Sequence, residues 1–204
     1  MHIAPPDRTF GEDEWRPFVA SQGFGHFVAP GRRRDFPVVV PTQFVLEGDE
    51  VVLHLAAPNP VFDALAENPR AMMSVAGDWA FVPSDWKAIG DEDPALGIPT
   101  TYYGAVQLFG SARVHTEPAA VATVLRRQLR AIQPGTAIAD PEVAHAAKLR
   151  LIRGITVAVE DVRAKFKYGG NVDEDHRWAV VRRLRQRRGP GDDAAARHVE
   201  RRIR

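Results

Sequence analysis

The chain has 204 residues, 45% of them hydrophobic and 26% charged, which fits one globular domain or one domain with an appendage. It contains 0 cysteines, so disulfides, zinc thiolate sites and thiol nucleophiles are excluded, and a reducing cytoplasm is the expected location. No apolar run is long enough for a signal peptide or a membrane helix, so no membrane partner is expected.

The net charge of +1 is unevenly spread along the chain. Residues 182–204 carry nine arginines against three acidic residues, a net charge of +6, so the remainder of the chain carries −5. A tail of this kind attracts a polyanion such as DNA, pairs with an acidic surface of the protein, or forms a solvated helix. The sequence leaves these three alternatives open.

The first third of the chain predicts a helix followed by short strands. Thr9 and Glu12 have the spacing of a capping box before a helix of about a dozen residues. A strand is expected at residues 25–29. The turn at residues 30–36 contains three successive arginines, which either point to solvent or contact a phosphate.

Two more strands and a short helix come next. Residues 37–44 form an apolar strand in which Pro41 cannot donate to the ladder, so a bulge or an edge position is expected there. The strand at residues 51–57 carries His54. Asn59 is typical of a helix N-cap, and the free N–H groups of the helix at Val61–Glu67 suit an anion such as a phosphate.

The rest of the chain alternates less regularly. One strand is predicted at residues 71–79, and a second strand is expected to end at residue 115. Helices are predicted at 118–132 and 140–152, and a further strand at 155–159. A helix follows Asp173, and a last basic helix follows the linker at 189–191. Many short strands with Gly and Pro turns indicate an α+β fold on a closed or nearly closed barrel.

One stretch, residues 79–110, is rich in aromatic residues and turn formers. It combines a strand, a Pro-Ser-Asp-Trp turn, a polar loop and a Pro-Thr-Thr-Tyr-Tyr segment that leads into a second strand. Aromatic rings offer a large contact area to a flat, conjugated ligand. The alternative is that Trp79, Trp86, Tyr102 and Tyr103 are half-buried sheet residues.

Several familiar sites are absent from the sequence. It contains no Gly-x-Gly-x-x-Gly, Walker or Gly-x-Ser-x-Gly motif, and its seven histidines show no His-x-His or His-x-x-x-His pair. No metal site and no catalytic residue are therefore predicted. The helices at 117–132 and 140–152 are separated by a loop longer than a helix-turn-helix uses.

Several segments together resemble the PaiB-type family of FMN-binding negative transcriptional regulators. The resemblance runs from MHIAPP through VVVPTQF, LHLAAPNPVFDAL, PSDW and PTTYY to the Arg-Gly-Ile strand and the closing Lys167. The chain departs from the family pattern in three places. Thr101-Tyr102 replaces Trp-Asn, Lys87 replaces the Tyr after the Ser-x-Trp turn, and Tyr168-Gly169-Gly170-Asn171 replaces the Ser-Gln-Asn segment.

This resemblance implies a mostly antiparallel split β-barrel of about six to seven strands, with peripheral helices and a helical C-terminal tail. It is similar to the barrel of pyridoxamine phosphate oxidases, which binds FMN at a homodimer interface. Residues 1–188 would form the FMN-binding domain and residues 189–204 the basic tail. Compared with the oxidases, Asn59 stands in place of a phosphate-binding Ser, and Val61 stands in place of a Lys.

The resemblance also implies cofactor-binding roles for particular residues. Asn59 would hold the FMN phosphate, with Lys167 or Arg34 replacing the missing cation. Thr42 and Gln43 would donate to the polar edge of the flavin. His54 would face the same site, and Ser84 and Trp86 would form a wall beside the cofactor. Tyr102 and Tyr103 are expected to add to this wall, in one arrangement from the other subunit.

Two classes of function follow from the resemblance. The first is a flavin-binding negative transcriptional regulator that contacts DNA through the Arg-rich tail, and the second is a flavin-dependent oxidoreductase that uses NAD(P)H or a related donor. A third alternative is a barrel that binds a deazaflavin or haem, or that has lost its ligand.

Overall fold

Seven strands and seven α-helices make up the regular structure of residues 1–203, the part of the chain that this computed structural model describes. The strands are β1 (Phe24–Ala29), β2 (Val38–Gln43), β3 (Val45–Glu47), β4 (Glu50–Ala56), β5 (Arg70–Val82), β6 (Thr100–His115) and β7 (Ile152–Lys167). The helices are α1 (Glu12–Gln22), α2 (Val61–Glu67), α3 (Pro118–Ile132), α4 (Pro141–Ala144), α5 (Ala146–Leu149), α6 (Glu174–Arg187) and α7 (Asp192–Arg201). Short 3₁₀ turns lie at Pro5–Asp7, Ser84–Lys87 and Pro94–Leu96.

The strands of residues 1–203 form one antiparallel sheet in the order β2-β1-β5-β6-β7-β4-β3. The sheet is not closed, because β2 and β3 are its two edges. An open sheet of this type with surrounding helices is the α+β split barrel that the sequence predicts. Pro41 lies in the edge strand β2 opposite His26 of β1, where its missing N–H removes no bond from a second neighbour.

The described chain divides into two compact units. Unit 1 comprises residues 1–18, 76–106 and 163–204, and unit 2 comprises residues 19–75 and 107–162. Strands β5, β6 and β7 each contribute one portion to each unit. Among the described residues, no helix is both long enough and apolar enough to cross a membrane.

The core of unit 2 forms where α3 packs on the sheet. Val121 and Val124 lie one helical turn apart on the same face of this helix, and both are buried. A Cβ added at Gly154 of β7 would lie only 2.8 Å from Cγ2 of Val124, so glycine permits the close approach of helix and strand. Strand β4 pairs with β7 in register from Glu50 opposite Ala158 to Ala56 opposite Ile152.

Three local predictions are wrong in the structure. The helix predicted at 140–152 is broken at His145, whose φ of −133° is not helical, and it consists of the separate helices α4 and α5. The strand predicted at 155–159 extends to Lys167, because its polar central residues lie on the exposed part of a long strand. The capping contact at α1 comes from Glu14, not Glu12, since the N–H of Phe10 donates to Glu14 Oε2 at 2.8 Å.

A buried ion pair ties the C-terminal helix α7 into unit 1. Arg202 Nη1 lies 3.1 Å from Glu14 Oε1, and both side chains are only 2% exposed. Arg202 also donates through Nε to the carbonyl of Phe166 at 3.2 Å. Glu14 is held at its second oxygen by the N–H of Phe10. The C-terminal end of α7 is therefore anchored by the buried charge of Arg202.

Replacing Arg202 with Met should destabilise the protein strongly, because the carboxylate of Glu14 would stay buried without its cation. We expect a loss of about 3–5 kcal/mol in the free energy of unfolding, measured by urea denaturation. The matched control is Arg201→Met, on the exposed side of the same helix, which should change this free energy by less than about 0.5 kcal/mol. Equal effects of the two substitutions would contradict the proposed anchoring.

Candidate functional site

The Pro-Ser-Asp-Trp turn of unit 1 is shaped by a close backbone contact. After Pro83 the chain forms the 3₁₀ turn Ser84–Lys87, with the N–H of Trp86 donating to the carbonyl of Pro83 at 3.3 Å. Gly97, later in the same loop, packs directly on this turn. A Cβ added at Gly97 would lie 2.0 Å from the carbonyl oxygen of Ser84, so only glycine fits there.

Arginines of α6 hold the Trp86 side of this turn. The Cζ atom of Arg187 lies 4.5 Å from the centroid of the Trp86 ring, a cation–π contact that covers part of the ring. Arg187 is in turn held by the buried carboxylate of Asp192, through Nε at 2.8 Å and Nη2 at 2.5 Å. Arg183 donates to the carbonyl oxygens of Trp86 and Ala88.

The two tyrosines predicted near the ligand have different surroundings. Tyr102 is only 2% exposed, and its hydroxyl has no hydrogen-bond partner among the described residues. Burial raises the pKa of Tyr102 to about 12. Its ring contacts Tyr168 edge to face at 6.2 Å. Tyr103 is half-buried, and Lys165 Nζ lies 5.7 Å from its ring centroid.

The two candidate cations also differ in their partners. Lys167, the last residue of β7, donates from Nζ to Thr100 Oγ1 at 2.7 Å and has no carboxylate partner among the described residues. Arg34 in unit 2 is already paired with a carboxylate, since its Nη2 lies 2.8 Å from Glu67 Oε1 and its Nε donates to Glu67 Oε2. Lys167 is thus the cation that remains available to an anionic ligand.

Two predicted polar residues of unit 2 have partners of their own. Asn59 Oδ1 accepts from the N–H of Val61 at 3.0 Å, so it caps the start of α2, while its Nδ2 group makes no bond within the described residues. His54 Nδ1 lies 2.7 Å from Oε1 of the buried Gln128 of α3. The side chain of His54 is therefore oriented by a residue of α3.

Thr42 and Gln43 point to opposite faces of β2. Thr42 is buried, and its hydroxyl donates to the carbonyl of Gln43 at 3.2 Å. Gln43 is exposed and lines a cavity of about 390 Å³ in unit 2. Residues of α1, β3 and α3 complete the lining of this cavity, among them Val19, Leu46 and Ile132.

The predicted residues thus fall into two sets. Ser84, Trp86, Tyr102, Tyr103 and Lys167 belong to unit 1, and Thr42, Gln43, His54 and Asn59 belong to unit 2. Among the described residues, no group of three His, Asp or Glu side chains is arranged to hold a metal ion.

Sequence reasoning missed the side chains that support the candidate residues. Arg183 and Arg187 were assigned to a basic tail, and no role was predicted for Gln128. One signal was present for the arginines. They lie one helical turn apart on α6, which places them on the same face, and an aspartate follows the Gly-Pro-Gly linker. Their targets, up to 97 residues away along the chain, had no such signal.

The chemistry of these residues fits FMN, which combines a phosphate, a flat ring and a polar edge. Lys167 in unit 1 is a donor suited to a phosphate, and the amide of Asn59 in unit 2 is, taken by itself, another. The amide of Gln43 can donate to and accept from a polar ring edge, and Trp86 offers an aromatic surface. The cavity beside Gln43, of about 390 Å³, is within the usual size range of ligand pockets.

The chain is similar in sequence to a family of flavin-binding domains. The family model described as "Putative FMN-binding domain" matches residues 1–161. The curated relative "Protease synthase and sporulation protein PAI 2" from Bacillus subtilis (strain 168) is 23% identical over 199 residues, which are 94% of this chain and 92% of that protein. The resemblance to the PaiB type is thereby confirmed.

Two solved structures share the fold. The flavocytochrome Anf3 from Azotobacter vinelandii superposes with a TM-score of 0.62 at 19% identity, covering 84% of this chain and 74% of that one. The FAD and heme binding protein from Mycobacterium smegmatis superposes with a TM-score of 0.61 at 19% identity, covering 82% of this chain and 76% of that one. Because the family model spans residues 1–161 of the 204, the chain belongs to this FMN-binding domain family and has FMN as its cofactor.

Proposed function

We propose that the protein is an FMN-binding, PaiB-type negative transcriptional regulator of the cytoplasm. Flavin binding is supported by the surroundings of Lys167. This half-buried cation donates to Thr100 and has no carboxylate partner among the described residues. A phosphate would satisfy this ammonium group. The regulatory part is supported by the family resemblance and by the sporulation protein from B. subtilis, which matches over 94% of the chain.

Within this proposal, each candidate residue has a role set by its contacts. Asn59 would donate Nδ2 to the phosphate, because its Oδ1 is occupied by the N–H of Val61. Thr42 and Gln43 would contact the polar edge of the flavin. His54, oriented by Gln128, would face the cofactor.

The aromatic roles follow in the same way. Trp86 would form a wall whose position is set by Arg187, and Ser84 would flank it in the same turn. Tyr102 and Tyr103 would complete the wall, Tyr103 through its half-exposed ring and Tyr102 from the buried side of the strand. When bound, FMN supplies hydride or electron transfer, and the protein supplies position and electrostatics.

A homodimer is part of the proposal. In unit 1, Trp79 is 60% exposed and Phe81 is 48% exposed, and in unit 2 Phe24 is 56% exposed. Large aromatic side chains of this kind are enriched where protein surfaces meet. A second copy of the chain would cover them.

The second candidate function is a flavin-dependent oxidoreductase, and the arginine tail favours it. Arg183, Arg187 and Arg202 contact groups within unit 1, and Arg185 pairs with Glu200 at 2.5 Å. Such internal contacts reduce the positive surface that the tail could offer to DNA. The fold is also that of a flavocytochrome and of an FAD and heme binding protein, so haem or another flavin is the alternative ligand.

Asn59→Asp tests the phosphate contact without removing the helix cap. Aspartate keeps the Oδ1 acceptor for Val61 but loses the Nδ2 donor and adds a negative charge. We expect FMN affinity, measured by quenching of flavin fluorescence, to fall about tenfold or more. Riboflavin, which lacks the phosphate, should bind the variant and the original protein equally. Unchanged affinity for FMN would remove Asn59 from the site.

Substitution of four tail arginines distinguishes the two functions. The four are those that have no carboxylate partner among the described residues. These are Arg182, Arg188, Arg197 and Arg201, all exposed. For a regulator, DNA retention should fall steeply with salt and should be lost when all four are changed to Gln, because phosphate contacts release counterions. An oxidoreductase should oxidise NADH or NADPH equally well with or without these substitutions. Absence of DNA binding at low salt would contradict the regulator.

A further inference from the structure

In unit 1, one histidine of α6 fastens the middle of the loop at residues 88–97, which follows the turn Ser84–Lys87. His176 Nε2 lies 2.9 Å from Glu92 Oε2 of this loop, and His176 Nδ1 lies 2.7 Å from Asp173 Oδ2. Asp173 is the N-cap of α6, and its Oδ1 also accepts from the N–H of His176 at 3.1 Å. The imidazole therefore joins two carboxylates, one on the loop and one at the start of the helix.

The two ends of this loop are held by other contacts. At its first end, Arg183 of α6 donates to the carbonyl oxygen of Ala88 at 3.4 Å. At its last end, Gly97 packs directly on the 3₁₀ turn that precedes the loop. Between these ends, the bond of Glu92 to the imidazole is the one side-chain hydrogen bond that ties the loop to another element of the described chain. Breaking this bond would free the middle of the loop and leave its ends in place.

The loop forms one wall of a cavity of about 530 Å³ in unit 1. Ile89, Gly90 and Glu92 line this cavity from the loop, and the buried Ala179 lines it from α6. Glu92 is thus both a part of the wall and the partner of His176. Releasing Glu92 from the helix would open the cavity on the side of the loop.

Both titratable groups that face the imidazole are carboxylates. The hydrogen bonds of Asp173 and then of Glu92 raise the pKa of His176, and the same bonds lower the pKa of each carboxylate. Other charged or titratable residues lie on the loop, on the turn before it, on the first turn of α6 and on the last turn of α7. Those that make no hydrogen bond or ion pair with the imidazole within the described chain are Asp85, Lys87, Asp91, Asp93, Glu174, Asp175, Arg177, His198, Glu200 and Arg201.

We propose that His176 is a proton-operated latch that closes the 88–97 loop over this cavity. A protonated imidazole donates from both ring nitrogens and attracts both carboxylates, so the loop is held on α6. A neutral imidazole has one N–H, so one of the two carboxylates loses its bond. Asp173 lies on the same helix and contacts Nδ1 through both of its oxygens, at 2.8 and 2.7 Å. The bond that is released is therefore the one to Glu92.

The direction of the pH dependence follows from the two kinds of group. Because the pKa of His176 is raised in the folded protein, its contribution is present below the ordinary pKa of histidine and is lost as the pH rises through the raised value. Because the pKa of Glu92 is lowered, its contribution is lost only in acid, as the pH falls through the lowered value. The latch is thus closed in mildly acidic solution and opens toward alkaline pH. It needs no cofactor, so it does not depend on the proposed function.

Hydrogen exchange followed by mass spectrometry tests the latch, because the N–H of Ile89 donates to Glu92 and lies within the loop. After correction for the intrinsic effect of pH, exchange of the loop should become about two- to fivefold faster between about pH 5.5 and about pH 8.5, the size of effect expected for a partly exposed ion pair. Glu92→Gln, which removes the charge, should exchange at the faster rate at both pH values.

Asp93→Asn supplies the matched control on the neighbouring residue. Asparagine keeps the oxygen that accepts from the N–H of Ala95, and Asp93 makes no contact with His176 in the described chain. This variant should keep the full pH dependence of exchange in the loop. A loss of the pH dependence in Asp93→Asn as well as in Glu92→Gln would contradict a specific latch.

Access to the cavity can be measured with a single cysteine, because the chain contains 0 cysteines of its own. Ala179→Cys places a thiol in the α6 wall of the cavity. Its reaction with a maleimide is compared, at the same pH, with that of a protein that also carries His176→Gln, so that the thiolate fraction cancels. The second protein should react about two- to fivefold faster at about pH 6, and no faster at about pH 8.5, where the latch is already open.

Either of two results would overturn the proposal. One is loop exchange at about pH 5.5 that Glu92→Gln leaves unchanged, and the other is equal reaction of the Ala179→Cys thiol with and without His176→Gln at about pH 6. Circular dichroism of each variant at the same pH verifies that it is folded.

Discussion

The organisation of unit 1 depends on two contacts of the Arg187 guanidinium group. This group lies between the ring of Trp86 and the buried carboxylate of Asp192. It connects the turn Ser84–Lys87 to α6 and α7, and Arg183 adds bonds to the carbonyl groups of the same turn. At the far end of α7, Arg202 reaches the buried Glu14. The C-terminal helices therefore shape the segment in which the aromatic candidates lie.

These contacts give the basic tail a structural role within unit 1. Its charge of +6 suggests an electrostatic surface, yet several of its arginines are used within unit 1. The cations left for an anionic ligand in unit 1 include lysines, which are scarce in this chain. Lys167, for example, donates to Thr100 Oγ1 and has no carboxylate partner among the described residues. Part of the charge of the tail thus serves the fold, whereas Arg182, Arg188, Arg197 and Arg201 are exposed and have no carboxylate partner among the described residues.

Features that depend on neighbouring residues could be predicted from the sequence. The start of α2 follows from Asn59 and Pro60, and the edge position of β2 follows from Pro41, because capping and proline geometry act locally. The length of β7 could not be predicted, since pairing with the neighbouring strands β6 and β4 overrides local preference there. The pairing of His54 with Gln128, 74 residues away, likewise depends on tertiary packing.

The visible absorption spectrum of the purified protein, with mass spectrometry of whatever heat releases from it, tests the central claim most directly. We expect a flavin spectrum and a released molecule with the mass of FMN. A haem spectrum, or the mass of a different flavin, would contradict the identity of the cofactor. A colourless protein that also fails to bind added FMN would contradict the flavin site as a whole.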